Sequence, residues 1–202
     1  MNVRLFSVIA SGLMLIAAAA LAAPDHHHEV MPSGETVPGE SIYQLNADLT
    51  DQNGKHTTLA AQRGHPTLIT MFYASCQSIC PVLATTLQRM EGELTPAERG
   101  RLRVTMISFD PERDTVPALA KFAQSHGIDG DRWRLARASA DTVRDIAAAL
   151  GIRYRPLPDG SFSHSATIIL LDADGVIRAR TENLQQLDKP FMQDLHKLLA
   201  AG

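Results

Sequence analysis

The chain has 202 residues, which is enough for one ordinary domain together with a targeting segment. Its hydrophobic share of 45% and its mixed charges suit a protein with a packed core and exclude a chain that is disordered throughout. The formal net charge of −3 gives no basic excess, so neither nucleic acid nor an anionic lipid surface is expected as a partner.

The first 23 residues have the pattern of a secretory signal. Arg4 precedes an apolar run over residues 5–21, and the run ends in small residues that close with Ala22 and Ala23. A basic start, an apolar stretch and an Ala-rich end predict a cleaved signal peptide, and an uncleaved N-terminal membrane anchor is the alternative. Both interpretations place the folded part in the periplasm or another extracytoplasmic compartment, with membrane contact only through this segment.

Residues 24–41 are predicted to form a flexible linker, because they contain proline and glycine and no apolar period. The linker includes His26, His27 and His28. A solvated tail is the favoured interpretation, since no cysteine ligand supports a metal site there. A metal-scavenging tail is the alternative.

Residues 42–202 alternate between strand and helix patterns. Ile42–Leu49, a turn at Asp51–Gly54 and the returning arm Lys55–Leu59 predict an N-terminal β-hairpin. Further strands are predicted at 67–73, 102–109, 133–136 and 176–181, and the segment 162–171 is strand-like at its C-terminal end. Helices are predicted from Pro81, after a capping box at Thr95–Glu98, and at 116–124, 141–150 and 188–201. This order predicts an α/β, thioredoxin-like fold, with a central mixed sheet flanked by helices and the N-terminal β-hairpin.

Cys76 and Cys80 are the two cysteines of the chain, and three residues separate them. A disulfide at that spacing closes a very small loop, so a structural staple is the weakest of three explanations. A metal clamp and a redox pair are equally compatible with the spacing. Because Cys80 precedes Pro81 at a predicted helix start, where free N–H groups stabilise a thiolate, at least one low cysteine pKa is expected.

Several segments, spread in order over nearly the whole chain after the linker, form a recognisable set. They are Leu49–Lys55, Met71–Pro81, Ile107–Thr115, Ser163–Thr167 and Leu171–Gly175. Together they resemble the Sco/SenC family of copper proteins. The Cys-x3-Cys-Pro motif alone is a weak signal, but its combination with the distant His164 and the Asp-Pro-Glu-Arg-Asp-Thr run is specific.

The resemblance implies copper delivery to the CuA centre of cytochrome c oxidase during its assembly. The family's ligands correspond to Cys76, Cys80 and His164 in this sequence. The implied partner is the copper-site subunit of the oxidase or another copper chaperone, and binding and transfer without turnover is expected. Two thiolates and one imidazole suit Cu(I), whereas Cu(II) would need more nitrogen or oxygen ligands.

The sequence departs from the family pattern in two places. The cysteine loop usually reads Cys-Pro-Asp-Val-Cys, and here Gln77, Ser78 and Ile79 lie between the cysteines. An Asp commonly precedes the family histidine, and Ser163 stands at that position. Both changes remove carboxylates near the metal, which weakens the expectation of Cu(II) binding more than that of Cu(I).

Two further classes of function stay open. An extracytoplasmic thiol–disulfide oxidoreductase would use Cys76 and Cys80 as its redox pair and would leave His164 without a role. A peroxidase is a weaker third hypothesis, since it would need a peroxide-reactive cysteine with a resolving partner. The copper hypothesis is favoured because of the three-residue spacing and the histidine.

The remaining polar features are expected to be structural. His56, His65, His126 and His196 are interpreted as surface residues. The charged loop from Asp110 to Asp114 is interpreted as a turn whose aspartates cap the next helix while Arg113 pairs locally. Electrostatic docking of a partner is the alternative for that loop.

Overall fold

The computed structural model describes residues 38–128, 130 and 132–201. The predicted signal or anchor and the histidines at positions 26–28 lie outside the described residues and stay predictions. Within the part that is described, none of the helices combines the length and the apolar character that a membrane crossing requires.

The described chain forms one mixed sheet and a separate hairpin. The strands are β1 (Asp48–Asp51), β2 (His56–Thr58), β3 (Thr67–Phe72), β4 (Arg103–Ser108), β5 (Trp133–Arg137), β6 (Tyr154–Pro156), β7 (Phe162–His164), β8 (Ile168–Leu171) and β9 (Ile177–Thr181). The sheet has the order β2-β1-β5-β4-β3-β8-β9, and β6 pairs with β7 alone. β3, β4 and β5 are parallel, while the other pairs are antiparallel.

Helices flank this sheet. They are α1 (Ile79–Gly92), α2 (Pro96–Arg101), α3 (Val116–Ser125), α4 (Ala140–Leu150) and α5 (Lys189–Ala200), with short 3₁₀ turns at Ile42–Gln44 and Leu59–Gln62. Every residue of β3 is buried, as expected for a strand covered on both faces. The predicted α/β architecture, with its mixed sheet and N-terminal hairpin β1–β2, is confirmed.

Two expected segments differ in part from the structure. The first hairpin arm, expected over Ile42–Leu49, is a strand only at its end, where β1 begins at Asp48, because Ser41 accepts a hydrogen bond from the Tyr43 N–H and starts a 3₁₀ turn. The strand-like C-terminal end of 162–171 is confirmed as β8, which pairs with β3 and β9, whereas the first part of this segment forms β7 and pairs with β6. The β6–β7 hairpin that results was not predicted, and it carries His164.

The capping box before α2 is confirmed and supports a stability prediction. The Thr95 hydroxyl accepts from the Glu98 N–H, and the Glu98 carboxylate accepts from the Thr95 N–H at 2.9 Å. Thr95→Ala removes this cap, so we expect the free energy of unfolding to fall by about 1 kcal/mol. Urea denaturation measures the change. Thr95→Asp is the matched control, and an equal loss in both variants would contradict the capping role.

Candidate metal centre

The cysteine loop joins the end of β3 to the first turn of α1. α1 begins at Ile79, two residues earlier than the expected start at Pro81, so Cys80 lies inside the first turn and Cys76 in the preceding loop. Both cysteines are free thiols, and only 6% of Cys76 and 0% of Cys80 are exposed. The Cys80 N–H donates to Cys76 Sγ at 3.4 Å. The helix start therefore points a backbone donor at the sulfur of the first cysteine.

This geometry gives the two thiols opposite pKa shifts. Burial alone would raise the pKa of Cys76, but hydrogen bonds from the Cys80 and Ser78 backbone outweigh it and lower the pKa from 9.0 to about 7. Burial raises the pKa of Cys80, and the neighbouring Cys76 adds to the shift. The expectation of one low cysteine pKa is confirmed, and it falls on Cys76 rather than on the cysteine next to the proline.

The lowered pKa predicts selective alkylation. We expect one thiol of the reduced, folded protein to react with iodoacetamide, with a rate that reaches half its maximum near pH 7. Cys80 stays unmodified because it is fully buried. Mass spectrometry of the digested protein identifies the labelled residue. A half-maximal rate near pH 9, or equal labelling of both cysteines, would contradict the assignment.

His164 lies at the end of β7 with one nitrogen bonded and one free. Its Nδ1 donates to the Ser165 carbonyl oxygen at 3.1 Å, so Nε2 carries the lone pair of the neutral ring. Nε2 is buried and has no hydrogen-bond partner. Burial lowers the pKa of His164, which keeps the imidazole neutral. An oriented, neutral imidazole with a free nitrogen has the form of a metal ligand.

Tyr73 interacts with both the imidazole and the first cysteine. The His164 ring lies 4.8 Å from the Phe109 ring and 6.2 Å, edge on, from the Tyr73 ring. Burial raises the pKa of Tyr73, and its interaction with Cys76 adds to the shift. Among the described residues, no three His, Cys, Asp or Glu side chains converge closely enough to hold a metal ion. The structure thus does not bring the two thiols and the imidazole together.

Asp114 connects the charged loop to the cysteine loop. One of its carboxylate oxygens accepts from the Ala74 N–H at 2.9 Å and from the Ser108 hydroxyl at 2.5 Å. Asp114 is buried, and burial raises the pKa of its carboxyl group. The two hydrogen bonds lower the pKa but do not outweigh the effect of burial. The expectation that the loop aspartates cap α3 was wrong, because Thr115 caps that helix. The expected local pairing of Arg113 is confirmed by its ion pair with Asp110 at 2.5 Å.

Comparison with known proteins decides the family. The SCO1/SenC family model matches residues 39–200, which is most of the chain. This chain belongs to the SCO1/SenC family. Its match to the curated SCO1 protein homolog of Bacillus subtilis is 26% identical over 130 residues, covering 63% of this chain and 67% of the relative.

Solved Sco structures share the fold. The structure of Bradyrhizobium japonicum ScoI with copper bound aligns with a TM-score of 0.60 and 26% identity, over 75% of this chain and 96% of that chain. BsSco, a member of the Sco family of cytochrome c oxidase assembly proteins in which a disulfide switch was identified, aligns with a TM-score of 0.66. Its identity is 21%, over 77% of this chain and 92% of that chain.

The other histidines of this Sco protein have contacts of their own. His126 stacks on Phe122 at 4.1 Å, and His196 pairs with Glu98 at 2.7 Å. His56 is exposed, while the other three, including His65, are half-buried. The expectation of a surface residue is therefore confirmed for His56, while His65, His126 and His196 are more buried than expected.

Tyr73 and Asp114 are the two residues near the thiols that the sequence did not single out. Tyr73 follows β3 at the end of an apolar run, and Asp114 lies 40 residues away from its partner Ala74. Neither a periodicity nor a spacing rule links these positions. A Sco-family comparison of the residues around the cysteine loop is the signal that could have found them.

Proposed function

We propose that this Sco protein binds one copper ion as cargo through Cys76, Cys80 and His164, and delivers it to the CuA centre of cytochrome c oxidase during assembly of the oxidase. The observation that carries the proposal is the buried His164 Nε2, whose lone pair has no hydrogen-bond partner among the described residues, in a domain that also holds the free thiols of Cys76 and Cys80. A buried acceptor without a hydrogen bond costs stability unless another ligand uses it. Copper is the metal that two thiolates and one imidazole suit best.

Copper binding on this proposal needs a local rearrangement. Tyr73 packs against His164 and interacts with Cys76, so we expect its ring to shift as the three ligands come together. The β6–β7 hairpin is the element that carries the histidine, and it pairs with no strand of the central sheet. A small movement of the hairpin would close the site without disturbing the sheet. Release of the metal would follow the reverse movement.

Two features support Cu(I) as the cargo. Cys76 ionises near neutral pH, and a thiolate is the species that binds soft metals. The residues between the cysteines, from Gln77 to Ile79, include no carboxylate, and Ser163 provides none beside the histidine. Cu(II) would need further nitrogen or oxygen ligands, for which water is the available source. We therefore expect tighter binding of Cu(I) than of Cu(II).

Direct transfer tests the delivery role. The reduced protein is loaded with one equivalent of Cu(I) and mixed with the copper-free soluble domain of the oxidase copper-site subunit. The two proteins are then separated and their copper contents measured. We expect copper to move to the oxidase domain from the native protein. Retention of all copper by the donor, under conditions in which free Cu(I) does load the acceptor, would contradict delivery.

A thiol–disulfide oxidoreductase is the second candidate function. The Cys76 thiolate would attack a disulfide of the partner, and Cys80 would then displace the partner's second sulfur. Cys76 and Cys80 end as a disulfide and the partner gains two thiols. The low pKa of Cys76 and the free thiol of Cys80 favour the oxidoreductase function, and a disulfide switch was identified in BsSco. Reduction of the oxidase-domain disulfide that depends on both cysteines and is unchanged by His164→Ala would favour this function over copper transfer.

We also propose that the domain works outside the cytoplasm, in the periplasm or an equivalent compartment. The support is the signal-like pattern of residues 1–23. An alkaline phosphatase fusion after residue 41 should be active in a bacterial host. N-terminal sequencing of the exported protein then distinguishes cleavage near Ala23 from an uncleaved anchor. An inactive fusion would contradict export.

A further inference from the structure

We propose that the outward face of the β6–β7 hairpin is a docking surface for an acidic face of the protein that exchanges copper with this chain. The inference rests on the proposed function, because it names the chemistry of the partner at the same site. Four side chains form this surface, which we call the arginine face. They are Arg153, Arg155, Ser163 and Ser165.

The register of the hairpin creates the arginine face. Tyr154 pairs with His164 and Pro156 with Phe162, so these residues share the inward side of the ladder. Arg155 pairs with Ser163, and the Ser165 N–H donates to the Arg153 carbonyl oxygen at 2.9 Å, which extends the ladder by one pair. Two guanidinium groups therefore stand next to two hydroxyl groups on the outward side.

Aromatic packing fixes which side faces outward. The Tyr154, Phe162 and His164 rings lie 5.2, 5.1 and 4.8 Å from the Phe109 ring. Because residues one position apart on a strand point to opposite sides, Arg153, Arg155 and Ser163 are directed to solvent, and all three are exposed. The metal-ligand candidate and the arginines thus occupy opposite sides of one small hairpin.

The arginine face has the shape and charge to receive carboxylates. A surface cleft of about 390 Å³ is lined by Arg153, Tyr154, Arg155, Ser163, His164 and Ser165. Within the described parts of the chain, neither Arg153 nor Arg155 has an ion-pair partner. The hairpin turn has one carboxylate, Asp159, and it accepts from the Ser161 N–H and hydroxyl. Arginine binds carboxylates in a two-pronged geometry that lysine cannot match.

The position of these charges argues for a protein partner rather than for uptake of free metal. The whole chain has a net charge of −3. Arg153 and Arg155, which have no ion-pair partner among the described residues, therefore make the hairpin that carries the proposed copper ligand locally positive. Two positive charges there repel a free copper cation and attract an acidic surface. Complementary charges at the rim of an interface mainly raise the association rate and fix the orientation of the partner. The arginine face would thus hold the partner against the hairpin that carries His164.

Binding of a defined acidic probe tests the proposal. The probe is a fluorescein-labelled peptide of alternating Glu and Ser, and the control peptide has Gln in place of Glu. We expect the full-length protein to bind the Glu peptide at low ionic strength and Arg153→Gln/Arg155→Gln to bind it about tenfold more weakly. The control variant Arg144→Gln/Arg178→Gln also removes two exposed arginines, at positions that form ion pairs with Asp141 and Asp172. It should bind within twofold of the native protein.

Four further outcomes are decisive. Equal weakening by both double variants, or equal binding of the Gln peptide, would overturn the proposal. Vesicles of phosphatidylglycerol that bind in an Arg153- and Arg155-dependent way, while the Glu peptide does not, would assign the face to a membrane and overturn it as well. Slower copper transfer to the oxidase domain in Arg153→Gln/Arg155→Gln, with rates that converge on the native rate at high salt, supports it.

Copper stoichiometry separates this inference from the proposed function. Arg153→Gln/Arg155→Gln should still bind one equivalent of Cu(I), because both arginines point away from the ligands. If the native protein binds no copper, the proposed function fails whatever the peptide does. If copper binds, and the Glu peptide binds equally well to the native protein and to Arg153→Gln/Arg155→Gln, only the docking inference fails.

Discussion

Single replacement of any of the three proposed ligands should weaken Cu(I) binding by at least about 100-fold. Loss of a residue that merely supports a ligand typically costs 10- to 100-fold in metal affinity, and loss of the ligand itself should exceed that range. The variants are Cys76→Ser, Cys80→Ser and His164→Ala. Competition titration of the reduced protein against a Cu(I) chelator of known affinity measures the effect. The native protein should bind one equivalent.

His56→Ala is the matched control for the histidine, because His56 is exposed and lies on β2 in the N-terminal hairpin. Its Cu(I) affinity should equal that of the native protein. Circular dichroism of each variant confirms that the fold is retained. Native-like Cu(I) affinity in His164→Ala, together with a loss of affinity in both cysteine variants, would show that only the two cysteines bind copper. His164 would then not be a ligand.

Asp114→Ala should lower the free energy of unfolding by about 3 kcal/mol. The substitution leaves the Ala74 N–H and the Ser108 hydroxyl without their acceptor inside the protein, at about 1 to 3 kcal/mol for each buried group. Relief from burying the carboxylate offsets part of this cost, which is why we expect a value in the lower half of the combined range of about 2 to 6 kcal/mol. Guanidinium denaturation at pH 7 measures the change. Asp114→Asn keeps one acceptor oxygen and should lose less than half as much.

Asp141→Ala is the control for a generic effect of removing an aspartate. Asp141 is in the first turn of α4, and its side chain is 82% exposed, so its loss should change the unfolding free energy by less than about 1 kcal/mol. Equal free energies of unfolding for Asp114→Ala and Asp141→Ala would show that the Asp114 contacts between the cysteine loop and the charged loop do not stabilise the fold.

Segments with strong local signals were predictable from the sequence. The apolar run of β3 is buried in full, the capping box at Thr95 starts α2, and Gly151 ends α4 with a φ of +63°. Each of these features is set by neighbouring residues: a continuous apolar run, a reciprocal side-chain cap, and a left-handed residue that favours glycine. The order of these elements was sufficient for the α/β fold class.

The β6–β7 hairpin could not be predicted because its stability is not local. β6 spans three residues and ends in Pro156, with Arg155 at its centre, so it has no apolar alternation. Its inward residues pack on Phe109, which follows β4 more than 40 residues earlier in the chain. The segment 162–171 was strand-like at its C-terminal end, which forms β8, but its first part, Phe162–His164, belongs to the hairpin and not to the main sheet.

The candidate site was predictable as a set of residue types but not as an arrangement. The spacing of the cysteines and the family resemblance named Cys76, Cys80 and His164. The contacts of Tyr73 with the His164 ring and with Cys76 depend on packing that no linear pattern encodes. The assignment of the low pKa to Cys76 likewise required the backbone geometry of the Cys80 N–H.

X-ray absorption spectroscopy of the Cu(I)-loaded protein tests the central claim most directly. The account predicts two sulfur scatterers and one nitrogen scatterer around copper in the native protein, and loss of the nitrogen in His164→Ala with both sulfurs retained. Identical spectra for the native protein and His164→Ala would contradict it, because the imidazole would then have no part in holding the metal.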